Sequence, residues 1–141
     1  MRKPIEKLLL LSNLGIFWAY AAGFLAAPRA LGAKLGIELT NATALADFRA
    51  MYGGLCLACG FVFLRGLRDE QWRVPALWLP TLGAGGLALG RVVTFLVDGV
   101  TSPIILGFLA SEVVAIAAGA YVLIGPLSPP AVSTLVAAPP R

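Results

Sequence analysis

Long uncharged stretches decide what this chain can fold into. The first, Leu8–Ala27, contains 20 residues, and charge is also absent from Ala50 to Leu64. A helix that rises about 1.5 Å per residue needs roughly 20 residues to cross the hydrocarbon core of a bilayer, which is about 30 Å thick. Uncharged stretches of this length are typical of membrane-spanning helices and unusual in a soluble domain.

The composition agrees with a membrane protein of one domain. Of the 141 residues 59% are hydrophobic and only 13% are charged, whereas about a quarter of the residues in a soluble domain are charged. The net charge of +4 comes from basic residues at expected helix ends, without interleaved aromatic residues on a polar surface. This pattern fits membrane topology better than nucleic-acid binding. Membrane lipid is therefore an expected partner, and nucleic acid is not.

The hydrophobic pattern predicts an all-α fold, an integral membrane four-helix bundle with short loops. The four-helix domain is expected over residues 1–126, with helices at about 5–27, 44–64, 74–97 and 103–125. Pro28 ends the first helix, and Pro80 is expected to bend the third helix or to mark a late start. The connector 28–43 is expected at the membrane surface, and Asn41 or Thr43 is expected to cap the second helix. The Pro/Ala-rich tail 127–141 is expected to be disordered.

Basic residues predict the orientation. The N-terminus carries Arg2, Lys3 and Lys7, and the second loop carries Arg65, Arg68 and Arg73. The first loop has only Arg29 and Lys34, and the third loop has no basic residue. Loops rich in Lys and Arg remain on the cytoplasmic side. With four crossings, both termini are predicted to be cytoplasmic.

Small and polar residues share one face of the second helix. At helical spacing this face carries Arg49, Tyr52, Gly53, Cys56, Cys59 or Gly60, and Phe63. Such a face suits packing against other helices in lipid. The third helix contains Gly86-xxx-Gly90, which permits close helix contact and is interpreted as packing within the bundle rather than as a dimer contact.

Charged residues inside the third and fourth helices are the unusual feature of the sequence. Arg91 lies seven residues before Asp98, roughly 10 Å deep, and Glu112 lies nine residues after Pro103, roughly 13 Å deep. The topology brings both to the outer half of the bundle, where Arg49 of the second helix is also expected. A charge at this depth costs about 2.5 kcal/mol or more when it is unpaired, so an Arg91–Glu112 pair is expected, with Arg49 either shared by this pair or paired to Asp47.

These charges have two interpretations. They hold the helices together, or they line a polar pocket that is open to the outer side and binds a lipid head group, an anion or a small polar ligand. The candidate ligand-binding residues are Asp47, Arg49, Tyr52, Arg91, Thr94, Asp98 and Glu112.

Other chemistry has little support in the sequence. The chain has no histidine, which removes imidazole ligation and histidine acid–base chemistry, and no cofactor or metal site is expected. Cys56-Leu-Ala-Cys59 has the spacing of a thiol redox motif, but near mid-bilayer the pair lacks the accessible, stabilised thiolate that such chemistry needs. The pattern therefore favours cysteine as a small packing residue.

Several motifs resemble a known family. Asp47-Phe-Arg49-Ala-Met-Tyr52-Gly-Gly54, Leu87-Ala-Leu-Gly90-Arg91, Asp98-Gly99 and the lone Glu112 are similar to the pattern of the bacterial membrane proteins called domain of unknown function 4345. The resemblance covers about residues 5–125 and implies a four-helix membrane bundle of unassigned activity in the bacterial inner membrane.

Three functions follow from these observations as hypotheses. The first is a non-catalytic accessory or interaction subunit, which packs against other membrane proteins or a second copy through small-residue helix faces. The second is a binding or carrier protein that uses the charged residues at the outer side. The third, which the sequence supports least, is a membrane thiol oxidoreductase that uses Cys56 and Cys59.

Overall fold

A computed structural model describes residues 2–100 and 102–124 of the chain. Every regular element in these residues is helical. In chain order they are α1 (Arg2–Ala26), α2 (Pro28–Lys34), α3 (Ala42–Phe48), a π-helical segment (Arg49–Gly54), α4 (Leu55–Arg68), a 3-10 turn (Glu70–Trp72), α5 (Arg73–Asp98) and α6 (Pro103–Ile124). The predicted tail 127–141 and the predicted end of the fourth helix lie outside the described residues.

Four of the helical stretches are long and apolar enough to cross a membrane. They are Lys3–Ala26, Ala42–Arg68, Glu70–Asp98 and Pro103–Ile124. In the second, α3, the π segment and α4 follow one another without a break. The all-helical fold with four long apolar helices is thus confirmed.

Local sequence signals set the ends of these helices. Pro28 follows the end of α1 and occupies the first position of α2, where its missing N–H is tolerated. The backbone N–H of Ala44 donates to Asn41 Oδ1 at 2.8 Å, so Asn41 is the cap of the second long helix. Gly99, with φ +64°, ends α5 in the left-handed conformation that glycine favours. Pro80 lies inside α5 and does not delay its start.

The long helices form two closely packed pairs, α1 with α4 and α5 with α6. The buried core lies where the pairs meet, among Leu10, Phe63, Ala76, Leu77 and Val122. These residues belong to the N-terminal half of α1 and α5 and to the C-terminal half of α4 and α6. The best-packed part of the molecule is therefore the end that carries the N-terminus and the α4–α5 turn.

Charged side chains also join the helices at this end. Lys3 Nζ lies 2.9 Å from Glu70 Oε1, and Arg73 Nη1 lies 3.1 Å from the same oxygen and 4.0 Å from Glu6 Oε2. Arg73 is only 8% exposed. This network fixes the start of α1 beside the start of α5.

Glycines allow close approach at the packed faces. A Cβ on Gly53 would lie 2.7 Å from Leu25 Cγ, and one on Gly60 would overlap the Trp18 indole. Both glycines belong to the predicted small-residue face, and both are buried. The prediction that this face packs against another helix is confirmed, and its partner is α1.

The glycines of α5 behave differently. A Cβ built on Gly83, Gly86 or Gly90 has no neighbour within 4 Å in the described residues. The interpretation of Gly86-xxx-Gly90 as a packing motif within the bundle is therefore wrong. These residues lie on a part of α5 that α6 and α1 leave uncovered, and we call Gly83, Gly86 and Gly90 the open glycine face.

Candidate functional site

An ion pair between α5 and α6 is the first candidate. Arg91 Nη1 donates to Glu112 Oε1, and Glu112 is 8% exposed. Arg91 lies two turns after the buried Ala84 of α5, and Glu112 lies two turns before the buried Gly119 of α6, so both are on the faces along which the two helices pack. The pair that the depths of Arg91 and Glu112 predict is present.

Phe108 completes the surroundings of this pair. Phe108 precedes Glu112 by four residues, and the centroid of its ring is 5.1 Å from Arg91 Cζ. An aromatic face at this distance attracts a guanidinium and also shields it from solvent. Sequence reasoning missed this contact, although the spacing of four residues places Phe108 on the same face of α6 as Glu112.

The charges of the pair compensate each other. Among the described residues, no third charged side chain forms an ion pair with Arg91 or Glu112. Glu112 Oε2 is buried without a hydrogen-bond partner, so the contact uses one carboxylate oxygen. A compensated pair of this kind joins α5 to α6 and offers no excess charge to an anion.

Thr94 and Asp98 do not join the pair. Thr94 Oγ1 donates to the Gly90 carbonyl of its own helix at 3.1 Å. Asp98 is exposed at the last position of α5. They follow Arg91 along α5 but make no side-chain hydrogen bond to it or to Glu112 in the described part of the chain.

Arg49 lies at a different place from the one that the sequence predicts. Its Nε donates to the Leu25 carbonyl at 3.3 Å, and the π segment that carries it packs mainly against α1. The expected convergence of Arg49 with Arg91 and Glu112 is therefore absent.

The end of α1 explains this position. α1 ends at Ala26, so the Leu25 carbonyl has no N–H of its own helix four residues later, and an arginine is a suitable donor at this negative end of the helix. The π segment Arg49–Gly54 also has a wider turn than an α-helix. Arg49 and Gly53 nevertheless share the predicted face, since both lie against Leu25 of α1.

Asp47 and Tyr52 accompany Arg49 and not the ion pair. Both are exposed, and the Tyr52 ring lies 4.5 Å from the Phe48 ring and 5.4 Å from the Phe24 ring between centroids. No ion pair joins Asp47 to Arg49 within residues 2–100 and 102–124. The seven candidate residues thus divide into two groups, one on each helix pair.

A concave surface of about 320 Å³ lies beside Arg49. It is lined by Ala26, Ala27, Pro28, Arg29, Ala30, Leu45 and Arg49, and we call it the α1–α3 corner. Sequence reasoning used Arg29 only to count loop charges and missed its place in this surface. The signal was available in Pro28, which begins a second helix beside α3 and thereby places Arg29 in its first turn.

The two cysteines are free thiols of intermediate exposure. Cys59 packs beside the buried core that contains Phe63. Among the described residues, no group of three or more cysteine, aspartate or glutamate side chains is arranged to hold a metal ion. The redox function of Cys56 and Cys59 stays a prediction.

Comparison with known proteins places the chain in a family. The model of a domain of unknown function (DUF4345) matches residues 5–127. The chain belongs to this family. The resemblance that the motifs around Arg49, Arg91 and Glu112 indicate is confirmed, and the DUF4345 match includes all seven candidate residues and both cysteines. No curated protein and no solved structure matches the chain. Membership assigns no activity, so the function is argued from the geometry.

Proposed function

We propose that this DUF4345 protein is a multi-pass protein of the bacterial cytoplasmic membrane, with its N-terminus and the α4–α5 turn in the cytoplasm. Four helices of sufficient length, with mean hydropathy between 1.4 and 1.9, support membrane insertion. The basic residues near the Lys3–Glu70 and Arg73–Glu70 pairs support the orientation, because Lys and Arg are concentrated on the cytoplasmic side of membrane proteins.

Within that membrane we propose a non-catalytic accessory role, in which α5 packs against a helix of another membrane protein or of a second copy. The observation that carries this proposal is the open glycine face of α5. Elsewhere in the bundle, at Gly53, Gly60 and Gly66, a Cβ would lie within 3 Å of a side chain from another helix. At Gly86 and Gly90 nothing lies within 4 Å.

The physical reason is the cost of glycine in a helix. Each glycine lowers helix stability by about 1 kcal/mol relative to alanine, and close backbone packing is the usual compensation in a membrane. Within the described bundle Gly53, Gly60 and Gly66 have this compensation, whereas Gly15, Gly85, Gly107 and the open glycine face do not. The open glycine face differs from the other three because three glycines lie together on one side of one helix. A partner helix at this face would supply the compensation.

The experiment places a photo-crosslinking residue at position 87, beside the open glycine face, and irradiates native membranes. The expected result is one defined product, which Gly86→Leu and Gly90→Leu abolish because a larger side chain keeps the partner helix away. Gly15→Leu is the matched control, since Gly15 on α1 also has no neighbour within 4 Å, and it should leave the product unchanged.

The mass of the product distinguishes a second copy from a different protein. Absence of any product from native membranes would contradict the accessory role. Equal crosslinking in the wild type and in the two α5 variants would contradict the assignment of this face.

A further inference from the structure

We propose that the α1–α3 corner binds the phosphate of an anionic ligand between the guanidinium groups of Arg29 and Arg49. This site is separate from the Arg91–Glu112 pair and from the open glycine face. The proposal does not depend on the accessory role. A lipid head group as the source of the phosphate rests on the proposed membrane insertion, whereas binding of free phosphate does not.

The first observation is excess positive charge at a concave surface. Arg29 and Arg49 both line the concavity of about 320 Å³. Within the described residues neither forms an ion pair, and the acidic residues nearest in sequence, Glu38 and Asp47, are not within ion-pair distance of them. The two guanidinium groups are therefore uncompensated, in contrast to Arg91.

The second observation is the orientation of Arg49. Its Nε donates to the Leu25 carbonyl, which fixes the plane of the guanidinium at the end of α1. No side-chain hydrogen bond in the described residues uses its two terminal nitrogens. Paired N–H groups of a guanidinium match two oxygens of one phosphate, and a fixed orientation reduces the entropy that binding would cost.

The third observation concerns the remaining lining. Apart from the two arginines it consists of alanine, proline and leucine: Ala26, Ala27, Pro28, Ala30 and Leu45. Small apolar side chains leave space for a ligand and offer no competing acceptor to the arginines. A surface that is cationic at one place and apolar around it fits the phosphate and the first part of the acyl chains of a lipid.

The site lies at the level where a lipid phosphate would be found. Leu25 and Ala26 lie in the last turn of α1. This turn is also the end of the first candidate membrane span. At the boundary of the hydrocarbon core, arginine extends toward head groups. The chemistry of the corner therefore indicates a phosphate with net negative charge, such as that of phosphatidylglycerol.

The experiment titrates phosphatidylglycerol into the full-length protein in detergent and measures bound lipid by native mass spectrometry. We expect Arg29→Gln to weaken binding about tenfold, the loss expected for one charge-assisted contact. Arg29→Lys should restore part of it. Arg29 is the informative position because its replacement leaves the Arg49–Leu25 hydrogen bond in place.

Lys34→Gln is the matched control. It removes the same charge from the same short helix α2, but Lys34 does not line the concavity, so binding should stay at the wild-type level. Equal weakening by Arg29→Gln and Lys34→Gln would overturn the proposal, because general electrostatic attraction would then explain the lipid. Unchanged binding in Arg29→Gln would also overturn it.

A parallel titration with inorganic phosphate identifies the source of the phosphate. Competition with phosphatidylglycerol, lost in Arg29→Gln, would show that the corner recognises the phosphate itself. Binding of inorganic phosphate without binding of the lipid would retain the anion site and assign it to a free anion. Absence of binding in both titrations of the wild type would overturn the proposal without affecting the crosslinking test of α5.

Discussion

The buried carboxylate of Glu112 depends on a single guanidinium for compensation of its charge. Arg91→Leu would leave Glu112 buried without a charged partner, and we expect the free energy of unfolding in detergent to fall by about 3 kcal/mol. The double variant Arg91→Leu/Glu112→Leu should regain most of this loss, because no uncompensated charge then remains in the protein interior.

Arg68→Leu is the control for removal of an arginine. Arg68 is exposed at the end of α4, and its replacement should change the free energy of unfolding by less than about 0.5 kcal/mol. A double variant that is less stable than Arg91→Leu alone would contradict the interpretation of the pair as a compensated structural contact.

The same residues show which part of the site the sequence can predict. Arg91 and Glu112 lie in uninterrupted helices, so counting residues from Asp98 and Pro103 gives their depth, and a shared depth predicts their contact. Arg49 shares its face with Gly53 as the spacing predicts, but that face packs against α1 and not against α5 and α6. Its acceptor is the Leu25 carbonyl in the last turn of α1, and only the three-dimensional arrangement of α1 and the π segment brings the two together.

At the scale of helices, the α1–α4 contact depends on a glycine. A Cβ at Gly60 would overlap the Trp18 indole, so Gly60→Ala must displace the ring or separate the helices. We expect a loss of about 1–3 kcal/mol in the free energy of unfolding, the range for overpacked cores. Denaturation in a detergent titration would measure it.

Gly15→Ala is the matched substitution on an open part of α1. Nothing lies within 4 Å of a Cβ there, and alanine favours the helix, so this variant should be equal to the wild type or more stable by at most about 1 kcal/mol. If both variants lost the same stability, close packing at Gly60 would not be the cause.

Helix packing also marks a limit of sequence reasoning. Gly60 and Gly86 both occur in apolar helices with other small residues nearby, and spacing alone does not distinguish them. Their difference arises because α1 covers one helix face of α4, whereas α6 packs on a side of α5 away from Gly86. The sequence predicts the four long helices because each apolar stretch is long enough to cross a membrane. Which face of each helix is covered depends instead on how the helices associate.

At the scale of the molecule, the described features are unequally distributed between the two ends. The core around Phe63 and the Arg73 network lie at the end that carries the N-terminus. The α1–α3 corner lies at the other end, and Arg91 and Glu112 lie in the half of α5 and α6 nearest to it. If the well-packed end is cytoplasmic, the proposed phosphate site is in the outer leaflet.

Cysteine labelling in spheroplasts tests this orientation. The exposed positions Glu38, before α3, and Gln71, in the α4–α5 turn, would each be changed to cysteine in a background with Cys56→Ser and Cys59→Ser. A membrane-impermeant maleimide should label position 38 in intact spheroplasts and position 71 only after permeabilisation, because in the proposed topology the bilayer separates the two ends. The opposite pattern would move the α1–α3 corner to the inner leaflet. Labelling of both positions before permeabilisation would contradict the membrane-spanning arrangement itself.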